Sequence, residues 1–143
     1  MKHWIALTAL AALVGGAHAS DYPAKPITIV VPFAAGGPTD RVARDLAEAI
    51  RKPLGGATVI VDNAAGAGGS IGANKVAKAA PDGYTLLLHH IGMGTMPSLV
   101  RNIPFKVESD FEYLGMVNDV PMTVIGKPAM PANNYKELTS WIS

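Results

Sequence analysis

The sequence contains no cysteine. Disulfides, thiolate metal ligands and cysteine nucleophiles are therefore excluded together. Aromatic residues make up only 6% of the chain, and the formal charge is +1, from 12 basic and 11 acidic side chains. A chain so evenly balanced, without a Lys/Arg cluster, has no electrostatic footprint for nucleic acid or for an anionic membrane. Nucleotide motifs are missing too. A dinucleotide fingerprint needs Gly-x-Gly-x-x-Gly. The first glycine loop offers only Gly36 and Gly37, and counting from Gly66 and Gly68 puts Ile71 where the third glycine belongs. The one Gly-Lys pair, Gly126-Lys127, runs into Pro128 rather than the Ser/Thr of a Walker loop.

No catalytic or metal set is visible either. Ser70 and Ser98 lack a Gly-x-Ser-x-Gly elbow. Asp40, Asp62 and Asp82 fall at the ends of different elements, with no pairing evident between them. His89 and His90 are adjacent, and adjacent side chains of a strand point to opposite faces. With no Asp, Glu or Cys at ligand spacing, they are not expected to hold a metal together. No cofactor is expected.

What is present begins with a leader. Lys2 supplies a positive start, Trp4 to Val14 form a short apolar run, and Ala17-His18-Ala19 fits a small-x-small cleavage site. The run falls short of the roughly 20 residues of a membrane span. Residues 1–19 are expected to be a signal peptide cut before Ser20. Without Lys2 the remaining chain holds 11 basic and 11 acidic side chains.

The mature chain then repeats one pattern. Ile27 to Val31 is a β-branched run, Gly36 and Gly37 break it, and Pro38 suits the first position of a helix because its missing N–H would be unpaired there. Val42, Ala43, Leu46, Ala47 and Ile50 recur at helical spacing, and Pro53 with Gly55-Gly56 stops the helix. Thr58 to Val61 reads as a second buried strand, leading into "DNAAGAGGSIGANKVAKAAPDG", a glycine-rich turn followed by a helix. Thr85 to His89 reads as a third, followed by "HIGMGTMPSLV" and a short helix. Continuous apolar strands alternating with helices predict a parallel sheet covered on both faces. Right-handed crossovers place all three glycine loops at the carboxyl ends of the strands. Farther on, 111–117 and 122–125 read as two more strands. A last helix opens at Asn133 or Asn134 with Glu137 as capping partner, and the sequence ends inside it.

Such an edge suits an anion. The first turn of a helix leaves N–H groups unpaired and carries partial positive charge, and glycines let a ligand come close to them. One helix end supplies about 0.3–1 kcal/mol, whereas micromolar binding needs about 8 kcal/mol. Several loops must therefore act together. Asp40, in the first turn, either complements the helix dipole, accepts hydrogen bonds from a ligand, or fixes the loop.

At this point the order of motifs resembles a known family. Gly36-Gly37-x-x-Asp40-x-x-Ala43-Arg44, then Gly66-Ala67-Gly68-Gly69 with Ile71-Gly72-Ala73, then Pro81-Asp82-Gly83-Tyr84-Thr85-Leu86 stand in sequence. Together with "PFKVESDFEYLGMV" they are similar to the extracytoplasmic receptors of tripartite tricarboxylate transporters, often called the Bug family. The likeness runs from Tyr22 to the end. It implies a periplasmic, monomeric solute-binding protein without enzymatic activity. Such a protein has two lobes that close around a small carboxylate and hand it to membrane permease subunits. Residues 20–143 would be the first lobe, a parallel sheet flanked by helices, ending in the crossover to a second lobe that is missing. The resemblance implies ligand contacts from Phe33, Ala34, Gly36, Gly37, Thr39 and Asp40 in the first loop. It implies further contacts from Ala67, Gly68, Gly69 and Ser70 in the second, and from His90 and Ile91 in the third.

The chain departs from the family in places. Asn63-Ala64-Ala65 stands where Asn-Arg-Pro is common, and Met96-Pro97 where Asn-Pro is common. Aspartate, glutamate, citrate, dicarboxylates and nicotinate-like acids all remain open as ligands. A small secreted α/β hydrolase using the same crevice and a truncated receptor without transport role are the alternatives.

Overall fold

The computed structural model describes residues 22–143; the expected leader, residues 1–19, lies outside the described residues. Strand β1 (Ile27–Val31) leads into helix α1 (Pro38–Arg51). Strand β2 (Val59–Asn63) is followed by a 3-10 turn (Ala67–Gly69) and helix α2 (Ser70–Ala77). Strand β3 (Thr85–Leu87) precedes helix α3 (Gly92–Leu99). The three strands form one parallel sheet in the order β2-β1-β3. The expected α/β arrangement is the observed one.

The pattern of side chains explains why. In β1, Ile27, Ile29, Val30 and Val31 are all at most 1% exposed, as a central strand covered on both faces requires. Alternation sorts its neighbours onto two cores. Ile29 and Val31 pack with Ala43 and Ala47 of α1, and with Leu86 and Leu88 around β3. Leu87, one residue out of phase with those leucines, joins Ala73, Met93, Met96, Phe105 and Val107. The helices α2 and α3 thus cover the face opposite α1.

Two boundaries differ from expectation, and both matter. Strand β2 continues to Asn63, because Asp62 and Asn63 lie in register with Val30 and Val31. Strand β3 stops at Leu87 instead of His89, which frees both histidines from the strand alternation expected of them. Helix α2 is held very close to the sheet: a Cβ on Gly72 would lie 2.7 Å from the Pro32 Cβ and 2.9 Å from the Ala64 carbonyl. At the other pole of the sheet, the residues before β1 are clasped to the turn before β3. Tyr22 donates its hydroxyl to the Gly83 carbonyl at 2.7 Å, and Lys25 pairs with Asp82 at 2.8 Å while lying over the Tyr84 ring.

The chain divides into two compact units after Tyr113. In the second, Leu114–Ser143, the expected strand at 122–125 does not form, nor does the one at 111–117 that begins in the first unit. Leu114, Met116, Met122, Val124 and Ile125 are all exposed. Their composition suits a strand, but a strand exists only by pairing, and no strand among the described residues pairs with them. Phe111 instead packs edge-on against Phe105 in the first unit. Helix α4 (Tyr135–Ile142) forms as expected. Asn134 accepts the Glu137 N–H at 3.0 Å, and the Glu137 carboxylate reaches back to accept the N–H of Asn133, just before the cap, at 2.7 Å, a capping-box-like exchange.

Candidate functional site

Parallel strands bring three loops to one edge. Loop 1 (32–37) leaves β1, loop 2 (64–69) leaves β2 and loop 3 (88–91) leaves β3. They are stitched at their roots, where Ala64 donates to the Val31 carbonyl at 2.9 Å and Leu88 to the Val30 carbonyl at 3.0 Å. Helices α1 and α2 both start at this edge on a glycine, Gly37 and Gly69, and neither first turn is capped by a side chain. Pro38 has no N–H, so the open donors of α1 are those of Thr39 and Asp40, unpartnered among the described residues. Gly36, Gly66, Gly68 and Gly69 all have positive φ, as does Ala67 at 46°. The turns depend on that left-handed backbone, which glycine adopts without strain.

Asp40 is the buried centre of loop 1, only 3% exposed. Its Oδ2 accepts the Gly36 N–H at 2.8 Å. Arg44 donates to both carboxylate oxygens at 3.0 Å, and the Asn63 amide donates to Oδ1 at 2.9 Å. The Arg44 guanidinium, then the Gly36 N–H and Asn63, hold this carboxyl far below the usual carboxylate range. Asn63 also donates to the Phe33 carbonyl at 3.1 Å and accepts from Arg44 at 3.3 Å. Both its donors and its oxygen are engaged, so the end of β2 is tied to loop 1 and α1 at once.

Rings fill the space between loops 1 and 3. Phe33 stacks on His90, with centroids 4.5 Å apart and planes 16° apart. It meets His89 edge-on at 5.2 Å. The two imidazoles, expected on opposite faces, are 5.0 Å apart. Gly69 of loop 2 closes on the same cluster: a Cβ there would lie 2.8 Å from His89 Nε2 and 3.3 Å from the Phe33 ring.

The structure therefore gathers Phe33, Gly69 and His90 into one cluster, and links Gly36 and Asp40 through a hydrogen bond. Gly37 and Thr39 sit beside Asp40 at the uncapped turn, and Ser70 is buried at the corresponding turn of α2. Ala34 and Gly68 are exposed on their loops, as is Ala67, and Ile91 is 68% exposed on the outer side of loop 3. The Gly36 N–H and Asp40 engage each other. Sequence reasoning missed Asn63, Arg44 and His89. The i,i+4 spacing of Asp40 and Arg44 was the one available signal for the first network. Two shallow concavities lie away from the glycine loops. One lies by Asn134 and Trp141, the other along Arg44, Arg51 and Val59.

Helix starts without side-chain caps gathered at the carboxyl edge of a parallel sheet fit one lobe of periplasmic-binding-protein type. Solved structures agree. The periplasmic binding protein BugD superposes with a TM-score of 0.69 at 54% identity, over 85% of this chain and 40% of that one. MatC from Rhodopseudomonas palustris with bound malate gives 0.60 at 42% identity, over 63% and 31%. R. palustris Rpa4515 with adipate gives 0.60 at 30% identity, over 84% and 40%. A family model described as "Tripartite tricarboxylate transporter family receptor" matches residues 42–143. The chain belongs to that receptor family. A curated relative from Agrobacterium vitis, the UPF0065 protein in the TAR-I ttuE-ttuC' intergenic region, is 48% identical over 87% of this chain. The chain spans 36% of that relative's length.

Proposed function

We propose that this chain captures a small carboxylate, with dicarboxylates first, as the receptor lobe of a tripartite tricarboxylate transporter. In this reading residues 1–19 direct export to the periplasm, and 20–143 form the lobe that meets the ligand. Membrane permease subunits receive the solute, and the chain catalyses no reaction. The observation that carries the reading is the pair of helix starts without side-chain caps, α1 at Gly37 and, behind its 3-10 turn, α2 at Gly69, opening on one edge. Their partial positive charge faces that edge, and the Arg44 guanidinium is already matched by Asp40. Such a site suits an anion held by backbone donors instead of by a salt bridge. The malate and adipate in the two R. palustris neighbours support a carboxylate of this size.

The N–H groups of Thr39 and of the loop 2 residues Ala67 and Gly68 are the donors assigned to the carboxylate. Asp40 and Asn63 shape loop 1 from behind. Phe33 and His90 form the wall between loops 1 and 3. Calorimetric titration of malate and adipate into the chain tests this: saturable binding without product is expected. Turnover of an ester or amide at the same edge would contradict it.

A further inference from the structure

Hydrogen bonding sets the two loop 3 histidines in opposite tautomers. The His90 carbonyl can only accept, so the His89 Nδ1 that lies 2.9 Å from it carries the proton. Nε2 of His89 is then an unprotonated acceptor, and it is buried with no partner. His90 is the reverse. The Gly92 N–H donates to its Nδ1 at 2.9 Å, which leaves the proton on Nε2.

The bare Nε2 of His89 abuts Gly69, where even a methyl group would come within 2.8 Å of it. The edge of the same ring rests on Phe33. His89 thus touches all three loops, in a form that offers no acceptor for a second proton. The titratable group packed against it is His90, at 5.0 Å; Phe33 of loop 1 and Gly69 of loop 2 carry no charge.

We infer that His89 is a positioning residue of the carboxylate site: its neutral Nδ1–H tautomer seats Gly69 against Phe33, and a proton on Nε2 unseats loop 2 and weakens binding. The binding consequence rests on the proposed receptor function, whereas the tautomer and its hold on Gly69 do not. Burial, the main influence, already pushes the His89 imidazole down from its ordinary value. The seated form is therefore fully favoured above about pH 6.5, the value of a free imidazole, and is lost as pH falls through the lower folded value.

Nitrogen-15 NMR of the imidazoles in the full chain, without ligand, tests the first half. The expected result is the Nδ1–H tautomer for His89, with the Gly69 amide titrating alongside it below about pH 6.5. An Nε2–H tautomer, or a Gly69 amide indifferent to His89, would overturn the inference. Malate titrations near pH 7.5 and pH 5.5 test the second half, with His89→Asn as reference. Asparagine keeps a donor for the His90 carbonyl but takes no proton, and it corrects for protonation of malate itself. Affinity of the unaltered chain should fall more than that of H89N, by a factor below about ten because the folded imidazole lies under its ordinary value. Equal pH dependence in the two would overturn it. Coupled titration of His89 and Gly69 with no malate binding at either pH would support the tautomer lock and contradict the receptor reading instead.

Discussion

The carboxylate of Asp40 accepts the backbone N–H of Gly36 at 2.8 Å, four residues back along the chain. This contact ties loop 1 to the first turn of α1, where the N–H of Thr39 is left open. Asp40 braces the loop.

That brace is sensitive to acid in a defined direction. The Asp40 pKa is lowered in the folded state, chiefly by Arg44, so the stability it contributes is fully present above the unfolded value of about 3.9. It is lost as pH falls below that value. Asp40→Asn should melt several degrees lower than the unaltered chain at neutral pH, and the difference should shrink near pH 3. Thermal unfolding followed by circular dichroism at both pH values measures it.

Asn63 should matter as much as any loop residue. Replacing it with leucine strands the Phe33 carbonyl and leaves Asp40 Oδ1 with Arg44 as its remaining donor. A loss of about 1–3 kcal/mol is expected from groups stranded in this way. Urea unfolding reads it, and an unchanged midpoint would remove Asn63 from the account.

Gly72 has no room for a side chain. In Gly72→Val the new Cβ would fall 2.7 Å from Pro32 and 2.9 Å from the Ala64 carbonyl, both on loops that cannot retreat without moving. Overpacking of this kind costs about 1–3 kcal/mol. Because Pro32 and Ala64 root loops 1 and 2, malate binding should weaken along with the urea midpoint.

Much of this was legible in the sequence, and the failures have physical causes. The β-branched run of β1, the Pro38 helix start and the Asn134–Glu137 box are local signals, and each appears where expected. The glycine loops converge because parallel topology forces them to. Asn63 was hidden by reading the strand as its apolar residues alone, although pairing with Val31 carries β2 to the polar residue at its end. His89 was hidden by a strand read two residues too long, which put it on the wrong face from His90. The segments 111–117 and 122–125 were read as strands on composition, but pairing is a long-range property that composition does not record.

Gly36 separates strain from crowding. A side chain there would meet nothing within 4 Å, yet φ is +81°, which a β-branched residue adopts only under strain. Gly36→Val should therefore pull the loop out of its left-handed turn and its N–H off Asp40. Malate affinity should fall more than about thirtyfold, and Gly36→Ala should lose less, close to the roughly 1–2 kcal/mol of left-handed backbone. Calorimetry on both variants orders them.

The central claim is that the edge formed by loops 1 and 2 takes a carboxylate through backbone donors. Titrating malate into the nitrogen-15-labelled chain and following the amide resonances tests it most directly. The account predicts saturable shifts concentrated at Thr39, Asp40, Ala67, Gly68 and Gly69. Shifts absent from these amides, or confined to charged side-chain neighbours such as Arg51 and Lys75, would contradict it.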